Sequence, residues 1–291
     1  MKIATSLVPG RDDDIQTAAV KSWHGLGAEI LSVNVADEIA ALEQRYPAVT
    51  FVETKTSAMK IARKPVPFIH DIIRILADRA AEDEVIGLLN SDIILRSGAD
   101  LESTLAAHMQ SGAILLPRVD VPDLAAAQDY HPTGDEAFSV GYDGVFLSRE
   151  LARNLPDSIF CIGMPFWDYW LPLLTLLQGR SLMSIGSPVA LHVTHETRWD
   201  DTVYLFFHAL ITDMIAGCRA APNTPGNAAS EIMIDTFAHV YRDLFAQGTG
   251  AGQNEVDPVR AQALADVYDR VQEVVVHHIK ARAAPLLIPA A

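Results

Sequence analysis

The sequence predicts an α/β protein: a mostly parallel sheet flanked by helices, with a C-terminal helical extension. Two observations predict it. Through the first half of the chain, short β-branched runs alternate with amphipathic stretches, the pattern of strand–helix–strand crossovers. From residue 201 onward, apolar residues recur only at helical spacing.

In order, residues 2–8 (KIATSLV) are a short apolar run and read as a strand, and 14–26 are amphipathic and read as a helix. Residues 29–35 carry Ile30, Leu31, Val33 and Val35 and read as a strand; 38–46 follow as a helix, and 50–54 (TFVET) as a strand. Residues 68–81 are helical by their spacing, and 85–89 (VIGLL) are wholly apolar, as in a fully buried strand. A helix over 101–109 and a strand over 113–117 come next. Residues 121–140 are polar, lack a period and carry Pro122, Pro132 and Gly134, so they read as a surface loop bordering the site. Residues 139–147 and 188–193 read as the last two strands. Beyond them, 202–215 is apolar on most of its circumference. Residues 230–245 place Met233, Phe237, Val240, Tyr241 and Leu244 on one helical face. Residues 220–229 and 248–252 are joints. A last helix starts at Asp257-Pro258, a cap followed by proline at the first helical position. Leu264, Val267, Val271, Val274, Val275 and Ile279 line one of its faces. The expected division is an α/β unit over 1–200 and a helical extension over 201–291.

Charge and composition exclude several functions. The 291 residues carry 22 Lys plus Arg against 37 Asp plus Glu, a formal net charge of −15. That excess repels phosphate backbones and anionic lipid, which argues against nucleic acid and membrane surfaces as partners. A small anionic substrate remains compatible, because a bound metal ion supplies positive charge locally. At 49% hydrophobic the chain can bury a sizeable core. Cys161 and Cys218 form neither a metal-type pair nor a disulfide framework, in keeping with a reducing compartment. The apolar stretch 203–217 is interrupted by His208 and Asp213 and is too short to span a bilayer. With no export signal evident at the start of the sequence, the expected location is cytoplasmic.

Three segments carry candidate chemistry. In an α/β sheet, ligands sit at the carboxyl ends of strands. The strand at 85–89 runs there into Asn90-Ser91-Asp92 before apolar residues resume. An acid at that position is costly to bury unless it holds a cation or a donor. A divalent ion such as Mn²⁺ or Mg²⁺ takes oxygen ligands and completes its shell with substrate phosphates. The alternative is an Asx turn. In the second segment, Gly163 and Pro165 mark a turn, and a helix then begins with Trp167-Asp168-Tyr169-Trp170. Aromatic rings bind sugar faces and a dry carboxylate accepts a hydroxyl proton, whereas the structural alternative is an aromatic core helix with Asp168 favoured by the helix dipole. In the third, His192 and His195 follow the last strand as candidate late metal ligands, with packed or surface histidines as the alternative. Their order, His-x-x-His-Glu, is not that of a zinc protease. Other frameworks fail: the segment after the first strand has one glycine and three acids in place of G-x-G-x-x-G, and neither a P-loop nor a G-x-S-x-G elbow occurs.

In this order the pieces resemble GT-A glycosyltransferases, particularly family-2-like bacterial sugar transferases. The matching residues are the strand at 3–8 ending at Pro9, then Gln16, Ser22-Trp23, Lys64-Pro-Val-Pro67 and Asn90-Ser91-Asp92. They continue with Gly141-Tyr-Asp143-Gly-Val-Phe-Leu147, Gly163-x-Pro-x-Trp167-Asp168-x-Trp170 and His192-x-x-His195 with Trp199. The resemblance covers about residues 1–200. It implies a nucleotide-diphosphate sugar as donor, a carbohydrate or other hydroxyl as acceptor, and a divalent metal (Mn or Mg). Thr5, Ser6 and Pro9 would border the nucleotide. Asn90, Ser91 and Asp92 would stand for the Asp-x-Asp motif, with Asp92 on the metal and His192 or His195 completing its shell. Asp143 and Trp167 would meet the donor sugar, and Asp168 would be the general base. Lys64 and Arg198 are assigned to phosphate oxygens from their charge alone. One departure stands out: Asn90 occupies the position of the motif's first Asp, which removes a negative charge. That departure and the long tail motivate the alternative of a catalytically inactive, nucleotide-sugar-binding scaffold. A nucleotidyltransferase ranks below both, because the Gly-, Arg- and Lys-containing loop it needs after the first strand is missing. The apolar face of 264–279 packs on the α/β unit by default, with pairing to a second copy as the other option.

Overall fold

The computed structural model describes residues 1–10, 12–97, 100–109, 112–195, 202–220, 269 and 272–288. The elements run β1 (Lys2–Thr5), α1 (Asp13–Gly25), β2 (Glu29–Asn34), α2 (Ala36–Leu42), β3 (Thr50–Glu53), α3 (Met59–Ala62) and α4 (Ile69–Arg79). They continue with β4 (Ile86–Leu89), β5 (Ile93–Leu95), α5 (Leu101–His108), β6 (Ala113–Leu115), β7 (Arg118–Val121), α6 (Leu124–Gln128) and β8 (Gly144–Leu147). Last come α7 (Arg149–Arg153), α8 (Trp167–Leu177), β9 (Leu182–Ile185), β10 (Ala190–Val193), α9 (Thr202–Ala220) and β11 (Ala284–Leu286).

Among the described residues, eight strands form one sheet in the order β11-β9-β6-β8-β4-β1-β2-β3. All neighbours are parallel except β8, which is antiparallel to both β4 and β6. The mostly parallel α/β expectation is therefore met. Alternating residues of each strand feed two apolar layers, as the period of two requires. Ile3, Leu89 and Phe146 pack on the side of Trp23, Leu42 and Leu105, while Ala4, Leu88 and Val145 pack on the side of Leu76, Trp170 and Phe206. Gly87 faces Phe146 across the β4–β8 register, and a β-carbon there would come within 2.7 Å of the ring.

A second, three-stranded sheet, β5-β10-β7, stands on the Trp23 side. Sequence periodicity missed β5 and β7, which are only three and four residues long. The first helix fixes this small sheet: the Trp23 indole N–H donates to the Ile93 carbonyl at 2.8 Å, and the Leu95 N–H donates to Ser22 Oγ at 2.9 Å. The expected loop at 121–140 contains α6, which Asp123 caps by accepting from the Ala126 N–H at 2.8 Å. Arg96 closes the other end of α6 with hydrogen bonds to the carbonyls of Ala127, Gln128 and Tyr130 at 2.9–3.1 Å. The predicted strand over 139–147 begins only at Gly144, so residues 139–143 are free to serve the site.

The expectation of helix alone beyond 201 needs correction. Residues 272–280 are helical, but β11 then joins the edge of the main sheet, parallel to β9. Of the face that the spacing of 264–279 picked out, Val275 and Ile279 are buried and Val274 is exposed, while Val276, outside that face, is buried as well; Leu264, Val267 and Val271 lie outside the described residues. The predicted helix over 230–245, the joints at 220–229 and 248–252 and the cap at Asp257 lie outside the described residues, except that Ala220 ends α9. Among the described residues no helix is long and apolar enough to cross a membrane.

Candidate active site

Strand β4 sits in the interior of the sheet, between β8 and β1, and its carboxyl end opens into a tight turn. The Ile93 N–H donates to the Asn90 carbonyl at 3.3 Å, which places Ser91 and Asp92 at the corners. Strand β5 then pairs antiparallel with β10 so that Ile93 lies opposite His192. Pairing of β10 with β7 sets His192 beside Asp120. Register alone thus carries one acid, one histidine and a second acid to the same spot.

There, Asp92, His192 and His195 converge, with their candidate ligand atoms all within 4.8 Å of one another. His195 Nε2 lies 3.2 Å and His192 Nε2 3.6 Å from Asp92 Oδ2, and the two Nε2 atoms are 3.3 Å apart. His192 Nδ1 is 2.9 Å from Asp120 Oδ1, so a neutral His192 that donates there turns an Nε2 lone pair to the cluster, and a protonated one donates from both nitrogens. Burial works to raise the pKa of Asp92, but the two imidazoles beside it prevail and hold the carboxyl well below the ordinary range. Its Oδ1 is buried without a hydrogen-bond partner among the described residues. Several lone pairs aimed at one point repel unless a proton or a cation lies between them. Two imidazoles and a carboxylate, with a carboxylate behind one ring, fit a divalent metal.

Asn90 meets a neighbour that a sequence cannot show. Its Nδ2 donates to Asp143 Oδ1 at 2.6 Å, and its backbone N–H donates to the Asp143 carbonyl at 2.9 Å. Asp143 is also ion-paired to Arg118, which reaches Asp120 as well, at 2.9 Å. An aspartate at position 90 would set two carboxylates against each other, so the amide is matched to Asp143. Asn90→Asp is expected to lower stability in the presence of a chelator by about 1–3 kcal/mol. Like-charge contact raises the pKa of one carboxyl in the folded state, so this loss grows as pH rises from about 5 to about 8. Thermal melts across that range check it, and an unchanged melting temperature would contradict the pairing.

Asp168 stands in the first turn of α8. The preceding Phe166 has φ 73, a left-handed conformation that a buried aromatic adopts only when its surroundings dictate it. Its ring packs on Tyr169 and Phe207 at centroid distances of 6.3 and 5.6 Å. Burial pushes the Asp168 carboxyl up to about 6, against the downward pull of the backbone N–H groups of Tyr142, Asp168 and Tyr169 and of the Arg118 charge. The Tyr142 N–H donates to Asp168 Oδ2 at 3.3 Å. Gly141, at φ +100, allows this approach, because a β-carbon would lie 2.6 Å from that oxygen. Trp170 packs in the core, with its indole N–H donating to Asp213 at 3.1 Å, as the structural alternative for the rings anticipated.

These groups line one cleft of about 480 Å³. Of the residues expected to border it, Ser6, Lys64, Asn90, Ser91, Asp92, Asp143, Trp167, Asp168, His192 and His195 do so. Trp167 is only 2% exposed and offers little surface to a ligand. Thr5 does not reach the cleft: it is fully enclosed at the sheet end, and Leu7 and Val8 take its place. Pro9 likewise stands outside the wall; Gln16 clasps the Val8 backbone by two bonds of 2.8 and 2.9 Å, and the lining resumes at Asp12. Arg198 lies outside the described residues. Sequence reasoning missed Arg118, Glu38 and Gln272, which also line the cleft, and Asp120 behind His192. The Arg-x-Asp alternation of 118–120 was a legible strand signal, but its position beside His192 depends on register. Burial raises the pKa of Glu38, which accepts from Asn34 at 2.9 Å.

No family model matches the sequence, and no curated protein does. Solved structures similar to it include the mannosyltransferase PcManGT from Pyrobaculum calidifontis in complex with GDP-Man and Mn²⁺. That likeness has a TM-score of 0.45 at 10% identity and covers 96% of this chain and 85% of the other. GalNAc-T7 with UDP, GalNAc and Mn²⁺ gives 0.47 at 10% identity, covering 97% and 58%. The galactosyltransferase LgtC, in complex with donor and acceptor sugar analogs, gives 0.29 at 13% identity, covering 54% and 60%.

Proposed function

We propose that this protein is a metal-dependent glycosyltransferase that moves a sugar from a nucleotide-diphosphate donor to an acceptor hydroxyl. The observation that carries the proposal is the convergence of Asp92, His192 and His195 in the same cleft as Asp168, a half-buried carboxyl whose pKa desolvation raises to about 6. A divalent cation held by those three side chains would neutralise charge on a departing nucleoside diphosphate. The chain's own residues do the rest. Asp120 orients His192, and Arg118 and Asn90 hold Asp143 at the cleft wall. Asp168, ionised above about pH 6, accepts the proton of the attacking hydroxyl, and the α8 N-terminus and the Tyr142 N–H hold its carboxylate in place. Ser6, Leu7 and Val8 offer the wall along which the nucleoside lies. The inactive-scaffold alternative rested on Asn90 and on the long tail, and the Asn90–Asp143 bond gives that amide a structural reason of its own.

The test is thermal shift with GDP and UDP, each with Mn²⁺, Mg²⁺ or chelator. Ligand at a hundred times its Kd stabilises by about 2.7 kcal/mol, a rise of several degrees. Two imidazole ligands favour Mn²⁺ or Co²⁺ over Mg²⁺, so Mn²⁺ is expected to give the larger shift. No nucleotide-dependent shift with any cation would overturn the assignment.

A further inference from the structure

We propose that Gln272, brought back from the C-terminal segment, binds the acceptor, with Tyr169 positioning its carboxamide; this rests on the transferase reading. A line of contacts gives the placement. From the Asp92 cluster it passes along the turn to Asn90, across the amide bond to Asp143, through adjacent Tyr142 to Asp168, and on to Tyr169 and Gln272. With donor phosphates at the Asp92 end and the proton acceptor at Asp168, the body of the acceptor lies beyond Asp168, on the Gln272 side.

Gln272 donates from Nε2 to the Tyr169 hydroxyl at 2.9 Å, and it lines the cleft. A carboxamide held through one N–H keeps an oxygen and a second N–H, the acceptor and donor that an uncharged hydroxyl matches. The ligand chemistry is therefore a neutral, hydroxyl-bearing group. The segment that carries Gln272 is built into the fold: Val275, Val276 and Ile279 are buried, β11 pairs with β9, and the Ile288 N–H donates to Ser187 Oγ at 2.8 Å. The cleft is thus incomplete without residues that arrive more than a hundred positions after Asp168.

The test uses the full chain with Mn²⁺ and GDP or UDP, probed with methyl glucoside, methyl mannoside and glycerol by saturation-transfer NMR. The expected result is binding of at least one probe, weakened at least about fivefold by Gln272→Leu, a loss of roughly 1 kcal/mol. The nucleotide Kd and the melting temperature should stay unchanged. Gln272→Leu placed in a Tyr169→Phe background should add little, because the two side chains act as a unit. Nucleotide binding with no probe bound, or probe binding indifferent to Gln272→Leu, overturns this inference alone. Equal loss of nucleotide and probe, or a lower melting temperature, shows a structural part and also overturns it. Failure of the wild-type chain to bind either nucleotide removes the transferase reading and this inference together.

Discussion

Asp92→Ala is expected to abolish the Mn²⁺-dependent thermal shift by nucleoside diphosphate and to lower sugar transfer about a thousandfold or more. Asp92 is the one anion among the three converging ligands, and both imidazoles lie within 3.6 Å of its Oδ2. Charge neutralisation by a bound metal is worth several kcal/mol to a transition state, and each 1.36 kcal/mol is a factor of ten. Without the carboxylate, two imidazoles remain, too few to retain a hard cation against water. The metal-free protein is expected to lose stability as well, with a definite pH dependence. The carboxyl is held below its ordinary pKa, so its contribution is present above the unfolded value and is lost as pH falls through the folded one. Asp92→Asn separates the effects, since it keeps the shape and a hydrogen-bonding group while removing the charge. Isothermal titration with Mn²⁺ and a transfer assay on the nucleotide-sugar that binds provide the check. An Asp92→Ala protein that still gained a Mn²⁺-dependent shift from nucleotide would remove the metal from Asp92 and leave the proposed function without its support.

The residues that could be read from sequence are those whose chemistry is local. Strand β4 is continuously apolar and runs into Asn90-Ser91-Asp92, so an interior strand with an acid at its exit is visible in the sequence alone. The first helix, β2, β3 and α4 were legible for the same reason, as periodic runs punctuated by turns. What could not be read depends on partners distant in the chain. Strand β5, three residues long, has no periodicity to detect and exists because Ser22, Trp23 and β10 supply its hydrogen bonds. Arg118 and Asp120 look like ordinary surface charges until β7 pairs with β10. Asn90 looked like a lost carboxylate when taken as a motif position, and its bond to Asp143, 53 residues away, changes that reading. The tail was misread because β11 is a short edge strand that exists by pairing with β9, and helical spacing further upstream gave no hint that the chain returns to the sheet.

Asp168→Asn separates catalysis from stability, because the two should move in opposite directions. A positioned general base contributes about a hundredfold to ten-thousandfold, so kcat/KM is expected to fall about a thousandfold while the nucleotide and Mn²⁺ still bind. In the wild type, kcat/KM should rise as pH increases through about 6, where burial has placed the carboxyl, and the residual activity of the variant should lack that limb. Stability carries the opposite sign. A carboxyl whose pKa is raised in the folded state favours folding while protonated, below the unfolded value near 4, and that advantage is lost as pH rises through about 6. At neutral pH the fold therefore carries an ionised, desolvated group at a cost of roughly 2–3 kcal/mol. The asparagine removes much of that cost and can still accept the Tyr142 N–H through its amide oxygen. Its melting temperature is expected to exceed that of the wild type by several degrees at neutral pH, and by little near pH 4. A buried acid retained only for packing would give the stability gain without the loss of transfer. A buried acid required for the fold would give a lower melting temperature, and either outcome would remove Asp168 from the reaction. Loss of activity together with gain of stability is expected only if burial keeps this carboxylate under strain because an acceptor hydroxyl must give up its proton there.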